Sequence, residues 1–367
     1  MGDSRQPLLL PLTVWALIVC GMACTRLPAP PPGPVFFPPS PDPPRIQYLR
    51  SFSSRSEIGP RKYGWVDILV GPSEKDRETF LKPYGLAVAT GKFYVCDTIL
   101  GTVWVANFQT GEFHPIAGDR GQGKLKKPIN IVVDQDDLKY VTDIERGQIV
   151  VFGPKDEYVT AMAEGPPLRP CGVAISGDHL IVSDVGDHEI QIRDKHTGKI
   201  IRRFGSPQSS PVEEALGLPV NLAVDSHGNI LVSDAGRFRV CVLSPEGTFL
   251  GSFGRIGKQA GEFARPKGIA TDRENRIYLV DSAFENVQMF DEAHRLLMWF
   301  GGHGSEEGAL SLPAQVVVDY SNVDYFRKYV APGRDLEHVI WVTSQAGPRS
   351  ISCYGFLRPS SEKEAPK

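Results

Sequence analysis

Aspartate recurs at one fixed place in a motif that this sequence repeats, and a ring of such carboxylates could bind a metal or supply acid–base chemistry. Each aspartate ends a short apolar run, as in YVCD before Thr98 and LVSD before Ala235. The recurring residues are Asp97, Asp143, Asp184, Asp234 and Asp281. The sixth copy has Ser344 at this place. An identical position in the five other copies favours a structural role instead, in which the carboxylate accepts hydrogen bonds from backbone N–H groups at a strand-to-loop turn.

Histidine forms no recurring set in this sequence. A zinc site needs three or four converging ligands, yet the eight histidines fall at different places in successive copies of the motif. We therefore expect no metal and no cofactor. The formal net charge of −3 gives no general signal for nucleic acid, so no nucleic-acid partner is expected.

The elements that must position these residues are short strands in a sixfold repeat. The copy at residues 218–254 contains four apolar runs, separated by turn residues such as Gly228 and Pro245. Such runs, rich in Val, Ile, Leu and Phe, are typical of strands. Each copy opens on a proline, at Pro83, Pro128, Pro170, Pro219, Pro266 and Pro313. A period of 42 to 49 residues, by subtraction of these positions, predicts a β-propeller with six blades.

The opening proline, the apolar first strand, a turn with glycine, the (I/V)xVxD second strand and a closing Phe-Gly resemble the NHL-repeat family. KPYGLAV from Lys82, LPVNLAV from Leu218 and RPKGIAT from Arg265 carry the resemblance, which covers residues 46–357. It implies an all-β, six-bladed β-propeller of four-stranded antiparallel blades. We expect this domain to occupy residues 45–357 and to be followed by a disordered tail at 358–367.

The last blade is predicted to be closed by a strand from the N-terminal side. Residues 45–52 resemble the fourth strand of the other copies, and the last copy ends with its third strand near Phe356. Pairing of these two segments would remove the open sheet edges that promote aggregation.

Glycine and amide residues alternate at the position two residues after each proline. In chain order they are Gly85, Asn130, Gly172, Asn221, Gly268 and Gln315. This position begins the innermost strand of each blade, at the mouth of the central channel. The amides Asn130, Asn221 and Gln315 could order water or bind a small polar group there. The alternative is that Asn and Gly share a preference for turn geometry.

Basic residues are predicted around the same channel mouth. They stand beside the opening prolines or in the loop after a second strand, at Lys82, Lys127, Arg169, Arg237, Arg265 and Lys267. The simpler interpretation is that they are solvated loop charges. The alternative is a basic rim that receives an acidic partner.

The last blade carries an insertion at residues 319–338, between its first two strands. Long loops inside compact domains are usually functional or disordered. The aromatic and basic residues of this insertion have the composition of interface hot spots. They are Tyr320, Tyr325, Phe326, Arg327, Lys328 and Tyr329. We expect them to bind a protein partner on the face opposite the basic rim, unless the aromatics pack beneath the propeller and seal its channel.

The first 24 residues resemble a secretory signal. The apolar run at residues 8–21 is short for a membrane span. Cys24 follows a small residue, which resembles the end of a bacterial lipoprotein signal and implies a lipid on Cys24. Cys20 as the lipid acceptor and an uncleaved anchor are the alternatives. The proline-rich residues 25–44 are expected to form a semi-rigid linker, unless Phe36-Phe37 docks on the propeller.

The predicted function is that of a protein-binding or scaffold module without catalytic activity, anchored in the bacterial cell envelope. The protein would be an exported lipoprotein, in the outer membrane facing the periplasm or the cell surface, with an envelope protein complex as its partner. The alternative is a propeller hydrolase or lyase that acts on a small substrate at the channel mouth. Such an enzyme would need a metal or an acid–base pair there, and fold alone cannot choose between the two.

Overall fold

The computed structural model describes residues 33–59, 78–162 and 168–358. The described residues from Pro34 to Arg358 belong to one compact unit. Cys24, residues 25–32 of the proline-rich segment and the tail at 359–367 lie outside the described residues. In the described part of the chain no helix is long and apolar enough to cross a membrane.

The chain enters the described fold through two strands, β1 (Phe36–Phe37) and β2 (Ile46–Phe52). Blade 1 follows with β3 to β6 at Pro83–Ala89, Lys92–Asp97, Thr102–Asn107 and Glu112–Pro115. Blade 2 has β7 to β10 at Pro128–Val133, Lys139–Asp143, Gln148–Phe152 and Tyr158–Met162. Blade 3 has β11 to β14 at Pro170–Ser176, His179–Asp184, Glu189–Asp194 and Ile200–Phe204.

Blade 4 has β15 to β18 at Pro219–Val224, Ile230–Asp234, Arg239–Leu243 and Phe249–Phe253. Blade 5 has β19 to β22 at Pro266–Thr271, Ile277–Asp281, Asn286–Phe290 and Leu296–Gly301. Blade 6 has β23 to β25 at Pro313–Asp319, Leu336–Ser344 and Ile351–Leu357. The short helix α1 spans Val323–Phe326, and single 3-10 turns occur at Arg55–Glu57, Gly121–Gly123 and Arg327–Tyr329.

Within blades 1 to 5 the strands pair antiparallel in chain order, and the first strands of neighbouring blades contact one another around the centre. The predicted all-β, six-bladed propeller of four-stranded blades is therefore confirmed. The opening prolines mark the blades because each lies at an interruption of the strand ladder. The pairing register shifts between Pro83 and Leu86, for example, and between Pro128 and Asn130. Proline has no N–H to donate, so it is tolerated at such a bulge.

The recurring aspartates tie blades 1 to 5 to the linker that precedes each of them, and in blade 6 Ser344 accepts from the backbone N–H of Ser311 at the same place. Asp97 accepts hydrogen bonds from the backbone N–H groups of Leu81 and Lys82, and from those of Ile99 and Leu100 in the following loop. Equivalent bonds to the preceding linker are made by Asp143, Asp184, Asp234 and Asp281. The predicted structural role of these carboxylates is confirmed.

The N-terminal strand closes the ring as predicted. In blade 6, β2 pairs antiparallel with β25, with Ile46 opposite Phe356 and Phe52 opposite Ile351. The proline-rich segment adds a fifth strand at this edge, because β1 pairs with the start of β2. The ring of Phe37 packs against Tyr354 at a centroid distance of 6.2 Å. These contacts correspond to the docking of Phe36-Phe37 that was the alternative to a free linker.

Candidate binding face at the channel mouth

The six first strands all begin at one face, which we call the proline face. Because the strands are antiparallel, the loop after each second strand returns to this face. Here the side chains of Asn130, Asn221 and Gln315 are buried and meet one another. The Nδ2 of Asn130 donates to Oδ1 of Asn221 at 3.4 Å, and the Nδ2 of Asn221 donates to Oε1 of Gln315 at 2.6 Å. The amides from alternate blades therefore form one hydrogen-bonded layer across the channel.

The glycines between the amides are required by close approach of the backbone. A Cβ on Gly85 would lie 2.6 Å from the Cα of Asn130, and one on Gly268 would lie 2.6 Å from the Cα of Gln315. A Cβ on Gly172 would lie 2.8 Å from the Cα of Asn221. The alternation thus reflects crowding at the axis. It does not require the shared turn geometry offered by the alternative interpretation.

Hydroxyl groups on the second strands position the amide layer, and sequence reasoning missed them. The Oγ1 of Thr142 accepts from the backbone N–H of Asn130 and donates to the carbonyl of Cys171 in the next blade. In the same way, Thr343 accepts from the backbone N–H of Gln315. The sequence did contain a signal for these hydroxyl groups. Several second strands end with a Ser or Thr followed directly by the recurring aspartate, or by Ser344 in blade 6.

Beyond the amide layer, toward the opposite face, the channel is apolar. It forms an open pocket of about 290 Å³ lined mainly by aliphatic residues of all six first strands, including Leu86, Val173 and Leu222, with Gln315 also in its lining. No titratable side chain contributes to this described lining. The pocket therefore provides no acid–base pair.

Lys267 lies at the centre of the proline face and is 7% exposed. Its ammonium lies 5.0 Å from the ring centroid of Tyr84, on a blade two positions away. Burial, followed by repulsion from Arg265 and Lys82, lowers the pKa of Lys267 to about 8, although Cys171 acts in the opposite direction. Burial also raises the pKa of the Cys171 thiol to about 12. The interpretation of Lys267 as a solvated loop charge is therefore wrong.

The other basic residues of the predicted rim differ in their exposure and in whether they have a polar partner. Lys82, Arg169 and Arg265 are exposed. Lys127 lies 3.5 Å from a carboxylate oxygen of Glu145, and Arg237 donates to the carbonyl of Val212. Exposed aliphatic side chains stand in the same loops, at Leu81, Ile99, Leu100, Leu218 and Leu312. The proline face thus combines free cations with apolar surface.

The predicted partner-binding insertion lies mainly against the propeller. Phe326 is 0% exposed, and its ring packs edge-on against Trp341 at 5.3 Å between centroids. The expectation that Phe326 contacts a partner is therefore wrong, because its side chain is enclosed by the core between blades 6 and 1. The alternative interpretation was that the aromatic residues of the insertion pack beneath the propeller and seal its channel. They do pack against the propeller, but at the junction between blades 6 and 1 and not at the channel. The loop itself is shorter than predicted, since β23 continues to Asp319 and β24 begins at Leu336.

The other residues of the insertion hold it to the closing strand. Arg50 of β2 donates to the hydroxyl of Tyr329 at 2.7 Å and to that of Tyr325 at 3.3 Å. The ammonium of Lys328 lies over the ring of Tyr325 at 4.1 Å. Arg327 is exposed and pairs with acidic neighbours within the insertion. The ring of Tyr320 lies 5.1 Å from the ring of His338 between centroids.

A buried polar cluster that the sequence did not reveal joins blades 5 and 6. The Nε2 of His338 lies 3.0 Å from the hydroxyl of Tyr278, which donates to Asp272 at 3.0 Å. Burial lowers the pKa of His338 to about 3, so the ring is neutral at physiological pH. Because His338 and Tyr278 are 0% exposed, the cluster is closed to a substrate and serves to join the blades.

One group of acidic side chains among the described residues has the spacing of a cation site. Oxygens of Asp184, Asp187 and Glu189 lie within 4.8 Å of one another. Asp184 already accepts from the backbone N–H groups of Arg169 and Gly186. Its oxygens thus have the same structural use as those of the other recurring aspartates.

Comparison with known proteins supports the fold and the type of repeat. No family model matches the chain. Protein brain tumor of Drosophila melanogaster is 30% identical over 141 residues, which are 38% of this chain and 13% of that protein. The fold is a six-bladed β-propeller with NHL-like repeats. The chain spans only that small part of its curated relative, so nothing of the relative's activity follows for it.

Solved structures similar to this propeller share little sequence with it. A gluconolactonase of Xanthomonas campestris is 12% identical with a TM-score of 0.56, over 90% of this chain and 99% of that one. A Bacteroides thetaiotaomicron protein of unknown function is 14% identical with a TM-score of 0.58, over 85% and 75%. Virginiamycin B lyase of Staphylococcus aureus is 13% identical with a TM-score of 0.52, over 77% and 87%. At such identities the likeness establishes the fold alone.

Proposed function

We propose that this protein is a non-catalytic propeller that binds a protein partner through its proline face. The supporting observation is the difference between the axis of that face, where the amides are paired, and its surroundings, where several cations are not. At the axis, the amides of Asn130, Asn221 and Gln315 satisfy one another. Around them stand unpaired cations and exposed aliphatic side chains, a combination found at protein interfaces. This surface, and not the insertion, is therefore the proposed docking face.

The proposal includes anchorage in the bacterial cell envelope through a lipid on Cys24, with an envelope protein complex as the partner. It rests on the apolar residues 8–21, the cysteine that follows them and the proline-rich residues 25–44. The docking of Phe36–Phe37 on blade 6 would shorten the free tether. The propeller would then be held closer to the membrane than a fully extended linker allows.

The second candidate is a hydrolase or lyase acting on a small substrate at the channel mouth. Lys267 favours it, because an amine with a pKa of about 8 can act as a base near neutral pH. No carboxylate or histidine is among the groups that shift the pKa of this lysine, so a second acid–base group is missing from the described residues around it. Turnover of a lactone or ester that disappears in Lys267→Met, with folding retained, would favour the enzyme over the binding module.

The binding function can be tested by photocrosslinking in native membranes. A benzophenone side chain at Ile99, on the proline face, should give one defined adduct. The matched control is Ile201, which is also exposed but lies on the outer strand β14. Arg169→Glu combined with Arg265→Glu should weaken the adduct, whereas Arg202→Glu on β14 should not. Equal adducts from both positions, or none from Ile99, would refute the proposed face.

A further inference from the structure

Lys267 differs from the other deeply buried lysines of the described chain because it has no acidic partner. Lys139, at 0% exposure, lies 3.1 Å from Asp137 and 3.0 Å from Asp156. Lys195, at 4% exposure, lies 3.5 Å from Asp134. The ammonium of Lys267 makes no ion pair or hydrogen bond with a side chain of the described residues. No carboxylate acts on its pKa, and the cations Arg265 and Lys82 lower it. The fold thus neutralises two buried ammonium groups and leaves the third, at the axis, without a counter-charge.

An unpaired buried ammonium is costly for a folded protein. Desolvation disfavours the charge, and the cationic side chains of Arg265 and Lys82 disfavour it further. Methionine has a similar shape and would fill the same space without this cost. Lys267 nevertheless keeps a small contact with solvent, because 7% of the residue remains exposed on the proline face. A destabilising group that meets solvent at the centre of a candidate binding face has the properties of a ligand site.

We propose that Lys267 forms an axial anion site that takes one carboxylate of the protein partner, an inference that rests on the proposed binding function. The carboxylate would supply the missing counter-charge, and a charge-assisted hydrogen bond to a desolvated ammonium is strong. The exposed Lys82 and Arg265 would attract it to the mouth. The Tyr84 ring and the amide layer beneath would limit the space to a single compact group.

A protein carboxylate fits this site better than a nucleic-acid phosphate. Nucleic acids are held by a track of cations that neutralise several phosphates. On this face Lys127 is paired with Glu145, and Arg237 is engaged with a backbone carbonyl. The remaining arrangement is one enclosed cation with a few exposed ones around it. That arrangement matches a single inserted side chain or chain terminus.

The site can be tested by NMR of lysine labelled with carbon-13, using acetate as the minimal probe. The Lys267 signal is identified by its absence in Lys267→Met, and its pKa is followed at constant ionic strength. Acetate should raise this pKa toward the normal lysine value, because a bound anion stabilises the charged form. An unchanged pKa at saturating acetate would overturn the proposal. Lys127→Met is the matched control and should leave the response of Lys267 intact.

Two short peptides distinguish the sources of the carboxylate. One carries a glutamate and an amidated C-terminus, and the other is neutral with a free C-terminal carboxylate. Either peptide should lose about tenfold or more in affinity in Lys267→Met and change little in Lys127→Met. Equal affinity for wild type and Lys267→Met would refute the site. An oligonucleotide that binds through Lys267 in preference to both peptides would overturn the assignment to a protein carboxylate.

The inference and the proposed function can fail separately. If Ile99 crosslinks a partner and Lys267→Met leaves the adduct and the peptide affinities unchanged, the binding face stands and the axial site is refuted. If Lys267 binds acetate and peptide while no partner crosslinks from Ile99, the anion site stands and the proposed function is refuted. Lys267→Met should be at least as stable as wild type, so loss of binding would not reflect unfolding.

Discussion

The side-chain amide of Asn221 donates to Oε1 of Gln315 at 2.6 Å, although the two residues lie 94 positions apart in the chain. They come from blades 4 and 6, and Asn130 of blade 2 completes the contact. The three amides replace an open polar channel with a closed hydrogen-bonded layer. The centre of this propeller is therefore a structural junction as well as the floor of the candidate binding face.

Asn221→Ala should destabilise the propeller. The change removes two amide contacts and leaves buried groups of Gln315 and Asn130 without partners, which costs about 1–3 kcal/mol. Denaturant unfolding would measure the loss. Gln109→Ala, an exposed amide in a turn of blade 1, is the control and should stay within about 0.5 kcal/mol of wild type. An unchanged midpoint for Asn221→Ala would contradict a stabilising amide layer.

Phe326→Ala should lower stability before it affects any partner. Its ring is fully buried against Trp341 and Phe108, and deletion of such a side chain costs about 3–5 kcal/mol. Arg327→Ala removes a neighbouring exposed side chain and should cost less than about 1 kcal/mol. Thermal melting of both variants separates them. A partner-binding defect in Phe326→Ala with an unchanged melting temperature would restore the original expectation for this residue.

Removal of residues up to Phe52 should abolish cooperative folding. Strand β2 covers the edge of β25, and Phe52 lies 5.9 Å from Trp341 and 5.3 Å from Phe93 between ring centroids. Without it, blade 6 exposes an unpaired edge that promotes aggregation. Size-exclusion chromatography and thermal unfolding would show the effect. A truncated protein as soluble and as cooperative as the parent would exclude this closure.

The stability of the wild-type protein should rise with pH relative to Lys267→Met. Folding lowers the pKa of Lys267 from 10.5 to about 8, so the unfolded chain binds the proton more tightly. The resulting cost of about 3 kcal/mol is fully present below pH 8 and disappears as the pH rises from about 8 to 10.5. Lys267→Met should therefore be the more stable protein at pH 7. Parallel stability profiles for the two proteins across this range would contradict the burial of an unpaired ammonium.

Cys24→Ser should release the protein from the membrane fraction on a simple wash. The serine cannot receive the thioether-linked lipid that the resemblance to a lipoprotein signal implies. Fractionation followed by mass measurement of the N-terminus would report the outcome. A variant that remains in the membrane and unprocessed would indicate that residues 8–21 act as a transmembrane anchor.

The sequence alone determined the fold, because the features that define a blade are local. An opening proline, short apolar runs and turn residues recur within each copy, so blade number and strand order follow from Pro83, Asp97 and their equivalents. The role of the recurring aspartates was also predictable, because it is local. A carboxylate can accept a hydrogen bond from a backbone N–H two or three residues later in the same turn, as Asp97 does from Ile99 and Leu100. Closure by residues 45–52 followed from a missing fourth strand in the last copy.

Tertiary structure decided what happens where different blades meet. The sequence placed Asn130, Asn221 and Gln315 at equivalent positions, but only the closed ring brings their side chains within hydrogen-bonding distance. It likewise marked Phe326 and Lys267 as surface residues, since aromatic and basic residues in loops are commonly exposed. Burial depends on surfaces supplied by distant segments, such as Trp341 for Phe326 and Tyr84 for Lys267. No periodicity within one repeat contains that information, because it arises from packing between repeats.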